Sequence, residues 1–340
     1  SSILKSFKLL SEKRFGPFFW TQFWGAFNDN LYKNALILLI AFRATSESES
    51  GLWINLASGL FILPFLLFSP LAGQLCDKFE KSKAIRLIKI AEIIIMALGA
   101  LAFAWGNNIA LIAILFLMGA QSAFFGPTKY SLLPQTLKSD ELVAGNTMIE
   151  LGTFLAILLG TVAGGIVIGH FPQTIGFFII GIAVIGYLTS RNIPLAKSFA
   201  PDLKIRLSFW PEVVSLAKIA REERSVHLSI LGISWFWFYG AVFLSQIPNF
   251  VKFFIGGNES VGTLFLAVFS ISIGLGSLIC ERLSRDDIEL GLVPVGAFGM
   301  SLFAFDLGWI QYNAPSSPIG FFDYVLSSSG SWRVIFDLSM

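Results

Sequence analysis

The sequence predicts an all-α membrane protein with two related halves, and three observations support this. First, 55% of the 340 residues are hydrophobic and only 14% are charged, whereas about 25% of a typical soluble domain is charged. Second, nine apolar stretches approach the roughly 20 residues that a membrane-spanning helix needs. Third, a similar phrase ends two of them, GQLCDKF at 73–79 and SLICERL at 277–283. Such a long-period repeat indicates two structurally related halves.

The apolar stretches define the predicted spanning helices in chain order. They cover residues 17–42, 52–75, 84–105, 109–128, 143–169, 173–190, 227–250, 260–280 and 289–310. Glycine and proline inside them are normal for membrane helices, because neighbouring helices satisfy the freed backbone groups. A polar loop at 313–331 follows, and WRVIF at 332–336 looks like the start of a tenth helix. We therefore expect the second half to be incomplete in this chain.

The longest polar break, residues 191–225, divides the chain. We predict a six-helix N-terminal bundle at 1–190, a linker at 191–225 and a partial C-terminal bundle at 226–340. Within the linker, residues 209–224 have the pattern of an amphipathic helix on the membrane surface. Its aromatic residues would lie at headgroup level and its basic residues near anionic lipid. A plain interdomain linker is the alternative, and the two interpretations do not exclude each other.

Basic residues are unevenly distributed between the predicted loops. The N-terminal segment, the loop after the second stretch and the linker carry four, four and seven Lys or Arg residues, whereas the opposite side offers Arg43, Lys252 and Arg333. Positive charge favours the cytoplasmic side of a membrane protein. The N terminus, and both copies of the repeated phrase, are therefore predicted to be cytoplasmic.

Composition also argues against several classes of function. A formal net charge of +2 is too small to suggest nucleic-acid binding, and two cysteines cannot form a disulfide framework. The sequence shows no catalytic nucleophile, no metal-binding cluster and no phosphate-binding loop. We therefore expect neither an enzyme within these residues nor a cofactor or a metal site.

Two motifs resemble signatures of the major facilitator superfamily. Residues 73–83 are similar to its loop signature between the second and third helices. GTVAGG at 160–165 is similar to its glycine-rich signature in the fifth helix, although the usual proline is missing. The resemblance implies a fold of two pseudo-symmetric six-helix halves that rock around a central cavity.

The same resemblance implies which residues switch the conformation. Gly73, Asp77 and Lys78 belong to the loop signature, and Glu281 and Arg282 occupy matching places in the second phrase. In the superfamily such an acid caps a neighbouring helix and pairs with bases across the halves, contacts that break when the halves rock. A solvated charged loop is the alternative interpretation.

A narrower resemblance rests on four short phrases taken together. They are AFNDN at 26–30, GPTKY at 126–130, GN at 145–146 with Glu150, and AILLG at 156–160. As a set they are similar to bacterial lysophospholipid transporters, particularly the form fused to a glycerophospholipid acyltransferase and acyl-carrier-protein synthetase. The resemblance implies inward movement of lysophospholipid, mainly lysophosphatidylethanolamine, across the bacterial inner membrane for re-acylation. The implied partners are this substrate, membrane lipids and the acyltransferase, which would lie outside this chain.

Ionisable residues inside membrane helices are candidates for function, because they are costly there. Asp29 and Lys33 lie four residues apart, so they share a helix face and can pair. With Asn30 between them they would bind a headgroup, Asp29 attracting the ammonium and Lys33 or another base attracting the phosphate. An internal ion pair that takes part in gating is the alternative. Glu150 is expected to have a gating or a structural role. Lys89 and Glu92 are expected to form a local ion pair.

The seventh stretch offers two further candidates. Gln246 is placed on the headgroup side, and Trp237 belongs to an aromatic cluster at 235–239 that either lines a cavity for the acyl chain or faces lipid. Two other functions stay open at this point. The chain could be a facilitator for a small polar solute or drug, or a membrane anchor that presents substrate to a fused acyltransferase.

Overall fold

The computed structural model describes residues 2–284, 292–309 and 329–340. Their regular structure is helical. The first six α-helices are α1 (Ser2–Leu9), α2 (Gly16–Arg43), α3 (Glu47–Lys78), α4 (Lys81–Trp105), α5 (Asn108–Thr136) and α6 (Leu142–His170). The other six are α7 (Ile175–Ser190), α8 (Phe209–Glu222), α9 (Arg224–Asn249), α10 (Glu259–Ser284), α11 (Leu292–Trp309) and α12 (Ser329–Ser339). Short 3₁₀ turns lie at Ser139–Glu141 and Pro172–Thr174, and a π-helical segment, Phe250–Ile255, extends α9.

Each of the nine predicted stretches coincides with a helix, and α8 and α12 form where the amphipathic and tenth helices are predicted. Two helices are markedly longer than predicted. Helix α3 covers Glu47–Lys78, whereas the prediction has 52–75. The prediction ends the fourth stretch at 128, whereas α5 continues through Pro127 and Pro134 to Thr136. Prolines are tolerated here because α5 is packed along α3 and α4. Residues 289–291, and 313–328 of the predicted loop, lie outside the described residues.

Six of the described helical segments are long and apolar enough to cross a membrane. They are Glu47–Lys78, Lys81–Trp105, Asn108–Thr136, Ser139–His170, Pro172–Ser190 and Arg224–Ile255. Helix α2 has a sufficient length of 28 residues, but the polar residues in its middle lower its hydropathy. This is a multi-pass membrane protein.

The helices of the first half form one bundle around α2. Helix α2 packs against α6 and α7, α3 against α5, and α4 against α5 and α7. The second half meets this bundle where α10 packs along α6 and α9 along α3. We call the end of the bundle that carries residues 191–208 the linker face, and the opposite end the far face. Helices α2, α4, α6 and α9 run from the linker face to the far face.

Glycines bring α2 and α6 into close contact. A Cβ atom added at Gly160 would overlap the carbonyl oxygen of Phe27, and one at Gly164 would lie 2.6 Å from the carbonyl oxygen of Leu31. Small residues at a helix interface let two backbones approach within a membrane. The glycine-rich signature of α6 therefore sets the distance to the helix that carries Asp29.

Replacing Gly164 by valine should destabilise the protein, because α6 would have to move away from α2. Overpacking of this kind costs about 1–3 kcal/mol, and a thermal melt of the purified protein in detergent would measure it. Gly169→Val is the matched control on the same helix, since a Cβ atom there meets nothing within 4 Å. Equal melting temperatures for the two variants would contradict the tight α2–α6 contact.

Candidate functional site

A half-buried carboxylate, Asp29, lies at the middle of α2. Its Oδ2 atom accepts a hydrogen bond of 2.7 Å from Ser122 Oγ on α5. Its Oδ1 atom is buried and has no hydrogen-bond partner among the described residues. A buried carboxylate oxygen without a donor is costly. A ligand that donates a hydrogen bond to this atom would remove that cost.

Lys33 follows Asp29 by one helical turn and is also half-buried. Its ammonium lies 5.1 Å from the centre of the Phe61 ring on α3, and it is attracted by the Asp29 carboxylate. The direct ion pair that is the alternative interpretation does not form among the described residues: Asp29 bonds to Ser122 and Lys33 packs on Phe61. Both charges therefore stay available to a ligand.

Asn30 lies on the side of α2 that faces α6. Its Nδ2 atom donates to the backbone oxygen of Ala26 at 2.7 Å, and its Cβ lies 3.2 Å from where a Cβ of Gly160 would be. The structure thus brings Asp29, Asn30 and Lys33 together on one helix, within reach of α3, α5 and α6.

Behind Asp29, inside the N-terminal bundle, lies a fully buried ion pair. Lys89 Nζ and Glu92 Oε2 on α4 are 3.4 Å apart, and their side chains are only 1% and 2% exposed. The Lys89 ammonium also lies 4.9 Å from the centre of the Phe125 ring, and a Cβ at Gly25 of α2 would be 2.6 Å from it. Both charges act electrostatically on Asp29. The local pair predicted for these residues forms, and it lies against the helix of the candidate site.

Glu150 belongs to a second polar cluster, between α5 and α6. Its carboxylate interacts with the ammonium of Lys129 and with the hydroxyl group of Tyr130. Both partners belong to the GPTKY phrase, and Lys129 also lies over the Tyr130 ring at 4.6 Å. Glu150 therefore joins two of the phrases on which the narrower resemblance rests.

Among the described residues, the loop signature at the linker face bonds to the linker. Lys78 Nζ donates to the backbone oxygen of Leu203 at 2.9 Å, and the backbone oxygen of Asp77 accepts from Ala200 N at 2.8 Å. The Asp77 side chain is exposed, and a Cβ added at Gly73 would meet nothing within 4 Å. The N-cap of the next helix, α4, is another acid, Glu80.

Glu80 is the N-cap of α4 and also binds the linker. Its carboxylate accepts from Ser82 N at 3.0 Å, from Lys83 N at 2.8 Å and from Ala196 N at 2.8 Å. Partial burial alone would raise the pKa of this carboxyl. The hydrogen bonds, including one from Ser82 Oγ, outweigh burial and hold the pKa below its usual value.

Polar contacts at the far face join the two halves. Gln246 Nε2 donates to Asn55 Oδ1 at 2.9 Å, and Ser50 Oγ donates to Asn249 Oδ1 at 2.5 Å. Lys252, in the π-helical segment, donates to the backbone oxygens of Ala41 and Ala44 at the end of α2. Gln246, predicted on the headgroup side, thus lies in the contact between α3 and α9 and not beside Asp29.

Of the remaining predicted residues, one lies away from Asp29 and two have side chains outside the described part of the structure. Trp237 is 52% exposed on α9. Glu281 and Arg282 belong to the last turn of α10, and their side chains fall outside the part of the structure that is described.

Sequence reasoning missed three features of this region. Ser122 could have been found as a polar residue inside an apolar stretch, next to Gln121. The proximity of the Lys89–Glu92 pair to Asp29, and the bond that Gln246 donates to Asn55, depend on how separate helices are aligned, which no local pattern reveals.

Comparisons with known proteins agree with this architecture. A family model described as Major Facilitator Superfamily matches residues 18–336. The lysophospholipid transporter LplT of Yersinia pestis (strain Pestoides F) is 28% identical over 296 residues, covering 84% of this chain and 69% of that protein. LplT of Yersinia pseudotuberculosis serotype I (strain IP32953) matches with the same values.

A solved structure gives the same result for the fold. The peptide transporter POT, crystallised with sulfate, superposes with a TM-score of 0.56 over 95% of this chain and 79% of its own, at 15% sequence identity. At that identity the likeness concerns the fold alone. The family match spans both halves and all the spanning helices described above, and the chain therefore belongs to the major facilitator superfamily of transporters.

Proposed function

We propose that this protein carries lysophospholipid, with lysophosphatidylethanolamine as its main substrate, inward across the bacterial inner membrane. The observation that carries the proposal is the unpartnered Oδ1 atom of Asp29, half-way along a spanning helix. An ethanolamine ammonium offers the N–H donors that this oxygen lacks. Similarity to proteins named lysophospholipid transporters, over 84% of the chain, supports the same substrate class.

The charges on α2 complement a zwitterionic headgroup. Asp29 would bind the ammonium and Lys33 the phosphate, with Asn30 as a neutral partner. Positions i and i+4 have Cβ atoms about 5–6 Å apart, a spacing that suits an ammonium and a phosphate separated by a short ethyl ester. Because the two protein charges and the two headgroup charges each sum to zero, the bound headgroup adds no net charge to the site.

The acyl chain needs an apolar path beside the headgroup. Helix α9 exposes aromatic residues, Trp237 among them. The acyl chain of the lipid can lie against this surface while the headgroup crosses the membrane. Gln246 would meet the headgroup near the far face, at the point where it now bonds to Asn55.

Transport would follow alternating access, the two halves rocking around the site. We assign the linker face to the cytoplasm because the basic loops lie there. On this assignment, the hydrogen bonds at the far face would hold the periplasmic side closed. Gly73, Asp77 and Lys78, together with Glu150, Glu281 and Arg282, are assigned to the conformational switch.

Replacing Lys252 by methionine should weaken closure of the far face. A hydrogen bond from a charged donor contributes about 1.5–3 kcal/mol, so losing the contacts to Ala41 and Ala44 should raise the open population about tenfold or more. Spin labels at Ser48→Cys and Asn258→Cys, in a background with Cys76 and Cys280 replaced by serine, would report the distance between the halves.

Lys252→Arg keeps the charge and the donors, and is the control for this measurement. It should show the short distances of the parent protein. Unchanged distances in Lys252→Met would show that these bonds do not hold the far face closed.

The function itself is tested by uptake of labelled lysophosphatidylethanolamine into proteoliposomes that contain the protein. Uptake above that of empty liposomes, competed by unlabelled lysolipid, is the expected result. Adding an acyltransferase/acyl-carrier-protein synthetase, the proposed consumer of the transported lipid, should convert the internal product into diacyl lipid. A folded protein without lysolipid uptake would favour a small-solute facilitator or an anchoring module instead.

A further inference from the structure

The linker that joins the two halves is attached to the linker face. Gln74, in the last turns of α3, bonds to the backbone of Arg206 twice, donating to its oxygen at 3.0 Å and accepting from its nitrogen at 2.7 Å. Lys78 Nζ donates one further hydrogen bond to the linker, to the backbone oxygen of Leu203. Residues 203–206 therefore lie at the membrane boundary where α3 ends.

Helix α8 must lie along this boundary. It begins at Phe209, three residues after Arg206, and it ends at Glu222, two residues before the first residue of the spanning helix α9. Both of its ends are thus at the linker face. Since 14 residues make a helix about 21 Å long, only an orientation close to parallel with the membrane surface satisfies both attachments. Helix α8 also contacts both α3 and α9.

Large apolar side chains of α8 are exposed. Trp210, Leu216 and Ile219 are 72%, 51% and 60% exposed, and none of the 14 residues of α8 is buried. Phe209 and Val213 are half-buried, which indicates the side that faces the protein. With about 100° per residue, Trp210 and Ile219 therefore lie at the two edges of this side and Leu216 lies between them, at the level where a bilayer would begin.

Basic residues accompany these groups. Lys218 and Arg221 lie within one turn of each other on α8, and Arg206 and Arg224 lie on either side of the helix, while Glu212, Glu222 and Glu223 are the acidic residues of the same stretch. An amphipathic helix with aromatic and aliphatic residues on one side and Lys or Arg beside them binds a lipid surface, more strongly when the lipid is anionic.

We propose that α8 is a lipid-binding surface helix that inserts Trp210, Leu216 and Ile219 among the headgroups and binds anionic phospholipid through Lys218 and Arg221. This role is separate from transport of the substrate. It connects the two halves to the bilayer as well as to each other, because the same linker is bonded to α3 at one end and continues into α9 at the other.

Fluorescent labelling of the full-length chain in lipid nanodiscs tests this proposal. In a background with Cys76 and Cys280 replaced by serine, an environment-sensitive probe is attached at Leu216→Cys. Ser215→Cys, the neighbouring exposed position about 100° around the helix, is the matched control. We expect nitroxide-labelled lipid to quench the probe at 216, and aqueous iodide to quench the probe at 215.

Lys218→Gln combined with Arg221→Gln tests the lipid charge. In nanodiscs with phosphatidylglycerol, we expect these changes to reduce lipid quenching at 216 by about half or more, to the level seen with zwitterionic lipid alone. Equal iodide quenching at 215 and 216 would overturn the proposal. So would a probe at 216 that is open to iodide in the nanodisc and becomes shielded only when a cytoplasmic extract is added, since α8 would then bind a protein. Lipid quenching that does not depend on lipid charge would overturn the anionic preference.

Discussion

Asp29→Asn is expected to reduce lysophosphatidylethanolamine uptake by about 10–150-fold. The substitution keeps the size of the side chain and an oxygen that can accept from Ser122 Oγ, but it removes the charge that would bind the ammonium. A hydrogen bond to a charged group contributes about 1.5–3 kcal/mol, and each 1.4 kcal/mol is about tenfold in affinity. Initial rates of uptake into proteoliposomes, at lipid concentrations below saturation, would measure the effect.

Two variants make this result specific to the site. Asp140→Asn removes a carboxylate whose side chain is 71% exposed at the linker face, and it should leave uptake unchanged. Asp29→Glu restores the charge and should recover part of the activity. If Asp29→Asn transports as well as the parent protein, the headgroup assignment is wrong while the carrier function stands.

The helices could be predicted because membrane insertion depends on local composition. An apolar stretch of sufficient length has few alternatives to a helix in lipid, since its backbone groups must be satisfied internally. The ends were less predictable. Pro127 and Pro134 suggest an end to α5, yet the helix continues to Thr136. It continues because its contacts with neighbouring helices stabilise the helical conformation beyond these prolines.

The candidate site was only partly predictable for a related reason. Spacing along one helix places Asp29, Asn30 and Lys33 together, and the structure keeps them together. Spacing cannot say which helix lies opposite, so the bond from Ser122 to Asp29 did not follow from the sequence. The position of Gln246 shows the same limit, since its partner Asn55 lies 191 residues away in the chain.

The buried pair behind Asp29 leads to the second large effect. Lys89→Met should destabilise the protein by about 3–5 kcal/mol, because it leaves the Glu92 carboxylate buried without its partner. One oxygen of Glu92, Oε1, already has no hydrogen bond among the described groups. Removing the Lys89 ammonium would therefore add to the unsatisfied charge of this carboxylate. Thermal or denaturant unfolding in detergent, followed by tryptophan fluorescence, would measure the loss.

The double variant Lys89→Met/Glu92→Met separates charge from packing. Replacing a whole buried pair with apolar residues of similar volume is often neutral or stabilising, so the double variant should regain most of the stability lost by Lys89→Met. A double variant as unstable as the single one would show that Lys89 acts through its packing against Phe125 and Gly25. If stability returns but uptake does not, the pair matters for transport through its field at Asp29, and α4 belongs to the substrate site.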